Sequence, residues 1–350
     1  MHDVALFGLG TALPPHLLPQ DTVLEHARRL LGPKYRQFER LVPAFKNAGV
    51  DMRHSVMPLE WYAEDHGWAA RMAAYLPSAT QLFIDAATAA LEDAGLHARD
   101  VDTIVTVSST GIATPTLEAQ AARAMGFRAD VARVPVFGLG CAGGVTGLSL
   151  AHRLAVAEPG KTVLMVAIET CSLSFRTDRL QKSDIIATVL FGDGAAAAIV
   201  QAGNGPITLD PGHEHMWPGT LAIMGWDVDD TGLGVVFDRS IPEFVQANFR
   251  DATLGMLKAA DQRLEEIDRF VCHPGGAKVL EAIEETMALP AGSLDAERRV
   301  LRAAGNMSAP TVLFVLKDVL ASGQTGRMAL AALGPGFTAA LMPLTVKART

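Results

Sequence analysis

The sequence predicts an α/β protein of two similar halves, each with a mainly parallel sheet covered on both faces. Three observations carry this. Strand-like apolar runs alternate along the chain with longer helix-like runs, the pattern of βα units. Runs such as 101–107 read as fully buried strands, as sheets covered on both faces require. The halves also echo each other. Asp102-Thr103-Ile104-Val105 runs into Ser108-Ser109-Thr110-Gly111, and Asp268-Arg269-Phe270-Val271 runs into Cys272-His273-Pro274-Gly275-Gly276. Residues 162–168, a Gly-Asp-Gly turn and residues 195–200 are matched by 328–333, a Gly-Pro-Gly turn and 338–344.

In order, residues 4–8 read as a strand and 21–48 as helices. Ser78 is placed to cap a helix that Gly95 stops. A strand at 101–107 and a helix at 116–125 follow. Strand 132–136 leads into a glycine-rich turn and a helix at 145–157, stopped by Pro159-Gly160. Strand 162–168, a short helix at 184–190 and strand 195–200 complete the first half, 1–205. Residues 203–219, rich in Gly and Pro, mark the boundary. The second half, 206–350, opens with apolar strands and a long helix at 242–266. Strand 269–272, helices at 278–287 and 309–320, and strands 328–333 and 338–344 follow.

The bulk composition narrows the function. A chain of 350 residues, 49% hydrophobic and 19% charged, supports large buried cores and an oligomer interface rather than disorder. Its net charge of −8 argues against nucleic-acid binding. Cys141, Cys171 and Cys272 have no tight spacing, which suits neither disulfides nor zinc and points to a reducing cytoplasm. Met1-His2-Asp3 lacks the basic start of a signal peptide, and no uncharged apolar run reaches membrane-spanning length. Between Arg28 and Arg53, seven basic residues face two acidic ones. This excess suits either a phosphorylated ligand or a solvated helix face.

Phe137-Gly138-Leu139-Gly140-Cys141-Ala142-Gly143-Gly144 places a cysteine at a strand-to-helix turn. A helix N-terminus stabilises a thiolate there, so Cys141 is a candidate nucleophile. A small buried core cysteine fits the same turn. Gly138, Gly140 and Gly143 also spell G-x-G-x-x-G, with Glu169 after the next strand, a dinucleotide fingerprint far from its usual place on the first strand. Two further polar residues sit in glycine-flanked turns, His273 and Asn306 of Gly305-Asn306-Met307-Ser308. An imidazole can activate a thiol, and an amide donor can stabilise developing oxyanion charge.

Five segments resemble, in this order, the type III polyketide synthases, the chalcone synthase relatives of the thiolase superfamily. They are the Cys141 stretch, Leu190-Phe191-Gly192-Asp193-Gly194, Cys272-His273-Pro274-Gly275-Gly276, Gly305-Asn306-Met307-Ser308 and Gly334-Pro335-Gly336-Phe337-Thr338. The resemblance spans about residues 1–346. Ketoacyl synthases typically write His-Gln-Ala-Asn where this chain has His273-Pro274-Gly275-Gly276, and thiolases use a second catalytic cysteine.

The resemblance implies a thiolase-like αβαβα five-layer fold, a homodimer and acyltransferase activity on acyl-CoA and malonyl-CoA, with no cofactor, metal or carrier protein. Cys141 would carry the acyl group, His273 would hold the thiolate, and His273 with Asn306 would stabilise the enolate formed as CO2 leaves. It makes Phe191 an aromatic gate and puts Val235 near a second gate that is aromatic in the plant enzymes. Ser109, Cys171 and Ser174 fall on pocket walls, Gly334, Pro335 and Gly336 beside the cavity, and Arg40, Lys46 and Ser308 toward coenzyme A. The Cys171-Ser172-Leu173 pattern resembles bacterial enzymes that make alkylpyrones and alkylresorcinols from fatty acyl-CoA. Chalcone-, phloroglucinol- or tetrahydroxynaphthalene-type products, a single ketoacyl condensation and an inactive acyl-binding subunit are the alternatives.

Overall fold

The computed structural model describes residues 3–179 and 181–348. The outermost ends of the two expected halves, 1–2 and 349–350, lie outside the described residues. In chain order the strands are β1 (Val4–Ala12), β2 (His16–Pro19), β3 (Met52–Ser55), β4 (Thr103–Val107), β5 (Ala132–Val136), β6 (Thr162–Thr170) and β7 (Asp193–Ala202). Then come β8 (Ile207–Leu209), β9 (His213–Met216), β10 (Met224–Val228), β11 (Leu233–Phe237), β12 (Arg269–Cys272), β13 (Gly326–Gly334) and β14 (Thr338–Val346). The helices are α1 (Gln20–Leu31), α2 (Val42–Asn47), α3 (Trp68–Ala94), α4 (Leu117–Met125) and α5 (Gly143–Ala157). The rest are α6 (Lys182–Leu190), α7 (Ile241–Ala259), α8 (Ala277–Met287), α9 (Asp295–Ala304) and α10 (Thr311–Ala321).

Side-chain alternation sorts these elements into five layers. On β6, Val163, Met165 and Ala167 point into a central core with α5 and α10, while Leu164, Val166 and Ile168 pack under α3 and α4. On β13, Met328, Leu330 and Ala332 face the same central core, while Ala329, Ala331 and Leu333 face α7 and α8. The sequence is therefore helix, sheet, helix, sheet, helix, with α5 and α10 as the shared filling. Both faces of the central strands β4, β6 and β7 are buried, which is why they read as apolar runs.

Two expectations are corrected. The sheet order is β12-β13-β14-β8-β1-β7-β6-β4-β5, with β9 on β14. Among the described residues only β4–β5, β4–β6 and β12–β13 are parallel in it. It is therefore mixed rather than mainly parallel, and the turn at 335–337 is too short for a crossover between β13 and β14. The boundary expected at 203–219 carries β8, which bonds β1 on one side and β14 on the other and so joins the halves. Ser78 does not start a helix. It lies inside α3, which begins at Trp68 and carries Pro77 in its interior. Buried Tyr75, Ala79, Leu82, Phe83 and Ala86 hold the helix across the proline, and Gly95 ends it at φ +67°.

Candidate functional site

Cys141 sits where β5 gives way to α5. The chain passes through Gly138 at φ +90° and Gly140 at φ +49°, conformations that glycine adopts without steric cost, and enters the helix through a tight turn, Gly140–Ala142. Ser109, beyond the end of β4, holds this loop. Its hydroxyl oxygen accepts the N–H groups of Gly138 at 3.2 Å and Gly140 at 3.1 Å. Ser109 is held in turn, because its own N–H donates to Glu169 Oε2 at 3.0 Å and the Thr110 hydroxyl donates to the same oxygen at 2.7 Å. Opposite lies the β13–β14 turn. A Cβ on Gly140 would stand 2.7 Å from Pro335 Cδ, and one on Gly334 would stand 2.8 Å from the Leu139 carbonyl oxygen.

His273 follows β12 and donates its backbone N–H to Ala331 at 2.8 Å, which continues the pairing with β13. Asn306 is tied to the end of α6: its N–H donates to Leu190 at 2.8 Å, and its carbonyl accepts from Gly192 at 3.0 Å. Its side chain has one orientation, with Oδ1 accepting the Ser308 N–H at 2.8 Å and Nδ2 donating to Gly275 at 3.3 Å.

Cys141, His273 and Asn306, far apart in sequence, line one cavity of about 410 Å³ with Phe237, Ile241 and Phe249. All three are buried. Burial pushes the Cys141 thiol up to about 11, partly countered by hydrogen bonds from Ser308 and Asn306. It pushes the His273 imidazole down to about 3, and neither ring nitrogen has a protein partner. Each group alone is thus held neutral. One proton passing from sulfur to ring would place opposite charges side by side and offset both penalties.

Cys171, Ser174 and Phe191 lie together on a second cavity. The ring facing Phe191 is Trp226, edge-on at 6.2 Å. Val235, expected at a second gate, lines neither cavity; it is buried on β11 opposite Trp226. Trp226 was missed because its strand pairing, not its sequence neighbours, brings it to Phe191. Ser109 and the Gly334-Pro335-Gly336 turn support the Cys141 loop instead of lining either cavity. Ser308, expected toward coenzyme A, is buried, and its side chain helps to lower the pKa of the Cys141 thiol.

Arg40 lines a wide outer cleft of about 1690 Å³ that shares Phe237, Gly275 and Val279 with the cysteine cavity. Its rim carries Arg40, Lys182, Arg239 and Lys278 against Asp238. Lys46 is exposed on α2 and does not line it. The basic run of residues 28–53 is split: Arg28 pairs with Glu39 at 2.8 Å, while Arg53 turns inward to the carbonyls of Thr188, Val189 and Phe191. Cys272 is wholly buried in the outer core, as a structural cysteine is. Among the described residues no cluster of His, Cys, Asp and Glu could hold a metal ion, and no helix is long and apolar enough to cross a membrane.

The layered fold with its cysteine at a buried helix N-terminus is that of the thiolase-like synthases. It superimposes on the crystal structure of 1,3,6,8-tetrahydroxynaphthalene synthase from Streptomyces coelicolor A3(2) with a TM-score of 0.92, at 29% identity and covering 99% of both chains. Residues 2–206 match the chalcone and stilbene synthases, N-terminal domain, and residues 209–344 match the C-terminal domain. The chain belongs to this family, the type III polyketide synthases. It is 37% identical over 340 residues to the 1,3,6,8-tetrahydroxynaphthalene synthase of Streptomyces peucetius subsp. caesius, covering 94% of this chain and 89% of that one. It is 30% identical over 357 residues to type III polyketide synthase A of Arabidopsis thaliana, covering 95% and 90%. It is accordingly an acyltransferase that condenses malonyl-CoA, and its family works on CoA thioesters without a cofactor.

Proposed function

We propose that this synthase loads a medium- or long-chain acyl group onto Cys141, extends it with malonyl-CoA and releases an alkylpyrone or alkylresorcinol. The observation that carries the starter is the second cavity. It is apolar along Leu18, Val23, Ala27 and Leu59, and its wall reaches Cys171 and Phe191. Phe191 is joined through its backbone to Asn306, so an acyl tail passing the Phe191 ring has a place to lie.

In this reading the first half, 1–205, supplies the nucleophile and the second, 206–350, supplies His273 and Asn306. His273 takes the thiol proton as sulfur attacks the acyl-CoA carbonyl, and that proton leaves on coenzyme A. Malonyl-CoA then binds with its thioester oxygen between the His273 ring N–H and the Asn306 amide. As CO2 departs, negative charge grows on that oxygen. Preorganised donors in a buried site are worth on the order of hundredfold or more in rate. The enolate carbon attacks the acyl-cysteine and the sulfur is released. Ser308 donates to the sulfur, while Arg40, with the rest of the basic rim of the outer cleft, receives the coenzyme A phosphates.

The chain pairs as a homodimer in a reducing cytoplasm. Its edge strand β5 is open, and Phe137 and Ile112 beside it are 59% and 60% exposed, which an interface would cover. The three buried thiols are free.

A second reading has malonyl-CoA as both starter and extender with a naphthalene-type product, favoured by the name of the Streptomyces peucetius relative. Incubation with labelled malonyl-CoA, alone and with acyl-CoAs of graded length, separates the two by product mass. Chain-length-dependent products that vanish in Cys141→Ala support the first reading. A single aromatic product from malonyl-CoA alone, unchanged by added acyl-CoA, defeats it.

A further inference from the structure

The second cavity is apolar, yet it holds two buried hydrogen-bond donors that nothing in the protein satisfies. One is on His26. Its Nδ1 lies 2.8 Å from Arg29 Nη2, which can only donate, so Nδ1 is the acceptor and the ring proton of the neutral imidazole sits on Nε2. The His26 side chain is 7% exposed and lines the cavity, and Nε2 is buried without a partner. Burial and the neighbouring Arg29 both lower its pKa, which keeps the ring neutral and this tautomer in place. The other donor is Arg53 Nε, on the same cavity, also buried and unpartnered although the rest of that guanidinium bonds to Gln20 and three backbone carbonyls. Buried polar groups are normally paired, so two orphan donors in one greasy space are poorly matched to a plain hydrocarbon tail.

We propose that His26 is a specificity residue that binds an acceptor oxygen toward the far end of the starter's aliphatic tail, so that the synthase selects oxygen-bearing over unmodified acyl-CoAs. This rests on the aliphatic-starter reading above. Cys171, Ser174 and Phe191 form the wall nearer the reacting sulfur, while His26 sits on α1, so the oxygen belongs at the end of the chain remote from the thioester. A hydroxyl and a carboxylate both present such an oxygen. Arg53 bonds the Phe191 carbonyl at the near wall, so the far oxygen meets the neutral His26 ring, and the two are told apart by which analogue gains more.

The test compares decanoyl-CoA with its ω-hydroxy and ω-carboxy analogues, and with chains two carbons shorter and longer, as starters for the full-length wild type, His26→Leu and His26→Gln. In the wild type at least one oxygenated starter should be favoured about tenfold or more in kcat/KM, mainly through KM. His26→Leu should lose that preference. His26→Gln, which keeps an N–H donor, should regain much of it. If His26→Leu does not fold, the wild-type ratio and the thermal shift given by ω-hydroxydecanoic against decanoic acid still decide. Turnover of plain and oxygenated chains with equal efficiency, or a preference that survives in His26→Leu, overturns this proposal and leaves the aliphatic-starter reading standing. Turnover of no acyl starter, with product from malonyl-CoA alone, overturns both.

Discussion

Replacing Ser109 by Ala tests how the nucleophile is held. One hydroxyl oxygen caps two backbone N–H groups of the Cys141 loop, at 3.2 Å for Gly138 and 3.1 Å for Gly140. Ser109 is 2% exposed, so water does not readily take its place. An unsatisfied buried donor costs about 1–3 kcal/mol, less where it is only partly buried. With Gly140 N–H buried and Gly138 N–H partly so, the loss is about 2–4 kcal/mol, a large share of a typical folding free energy. The loop can lower that cost only by moving, and movement carries Cys141 with it. A displacement of about 1 Å at a reacting atom costs up to about hundredfold in rate. Urea unfolding should therefore show a lower midpoint at unchanged slope. Rapid-quench labelling of Cys141 by acyl-CoA should show acylation slowed about ten- to hundredfold, and Ser109→Thr, which restores the oxygen, should recover part of both. Stability within about 0.5 kcal/mol of wild type together with unchanged acylation would refute the assignment of Ser109 as the loop's anchor.

Gly140→Ala puts a methyl 2.7 Å from the Pro335 ring at a φ of +49°, so soluble protein should show a lower melting temperature and reduced acylation, while Gly126→Ala, whose added Cβ meets no atom within 4 Å at φ +77°, should pay only the backbone strain. Burial raises the folded pKa of Glu169 to about 8 from the ordinary carboxyl value of about 4.5, so the folded chain holds a proton there that the unfolded chain has released, and the stability this gives is lost as pH rises from about 4.5 through about 8. In Glu169→Gln that loss is absent: urea midpoints should fall less between about pH 5 and pH 8.5 than in wild type, and parallel curves would count against a protonated Glu169. Cys171→Phe fills the near end of the second cavity, so its product profile with acyl-CoAs of graded length should shift to shorter starters, and an unchanged profile would place the tail elsewhere.

What the sequence disclosed and what it hid divide along a physical line. Cys141, His273 and Asn306 were legible because each occupies a turn whose chemistry is local: glycines at or beside positive φ and a helix after, with a strand before the first two. Strand β12 was legible to the residue because a buried strand leaves an apolar run bounded by breakers. What was hidden depends on partners distant in the chain. Ser109 and the Gly334-Pro335-Gly336 turn read as pocket wall, yet they clamp the Cys141 loop from two sides, through contacts spanning about thirty residues in one case and nearly two hundred in the other. Trp226 meets Phe191 only because the β10–β11 hairpin folds over it. Helix α3 shows the opposite failure, where a strong local signal, Pro77 followed by Ser78, was outweighed by a buried face that continues on both sides. A catalytic side chain must meet substrate from an unusual backbone conformation, and unusual backbone leaves a mark in the residues beside it. The groups that hold it need only reach it, so they carry no such mark. Among residues whose contacts the sequence does not show, the ones to perturb first are therefore those whose side chains bond to backbone N–H groups of the marked turns, and in this synthase Ser109 meets that description at both Gly138 and Gly140.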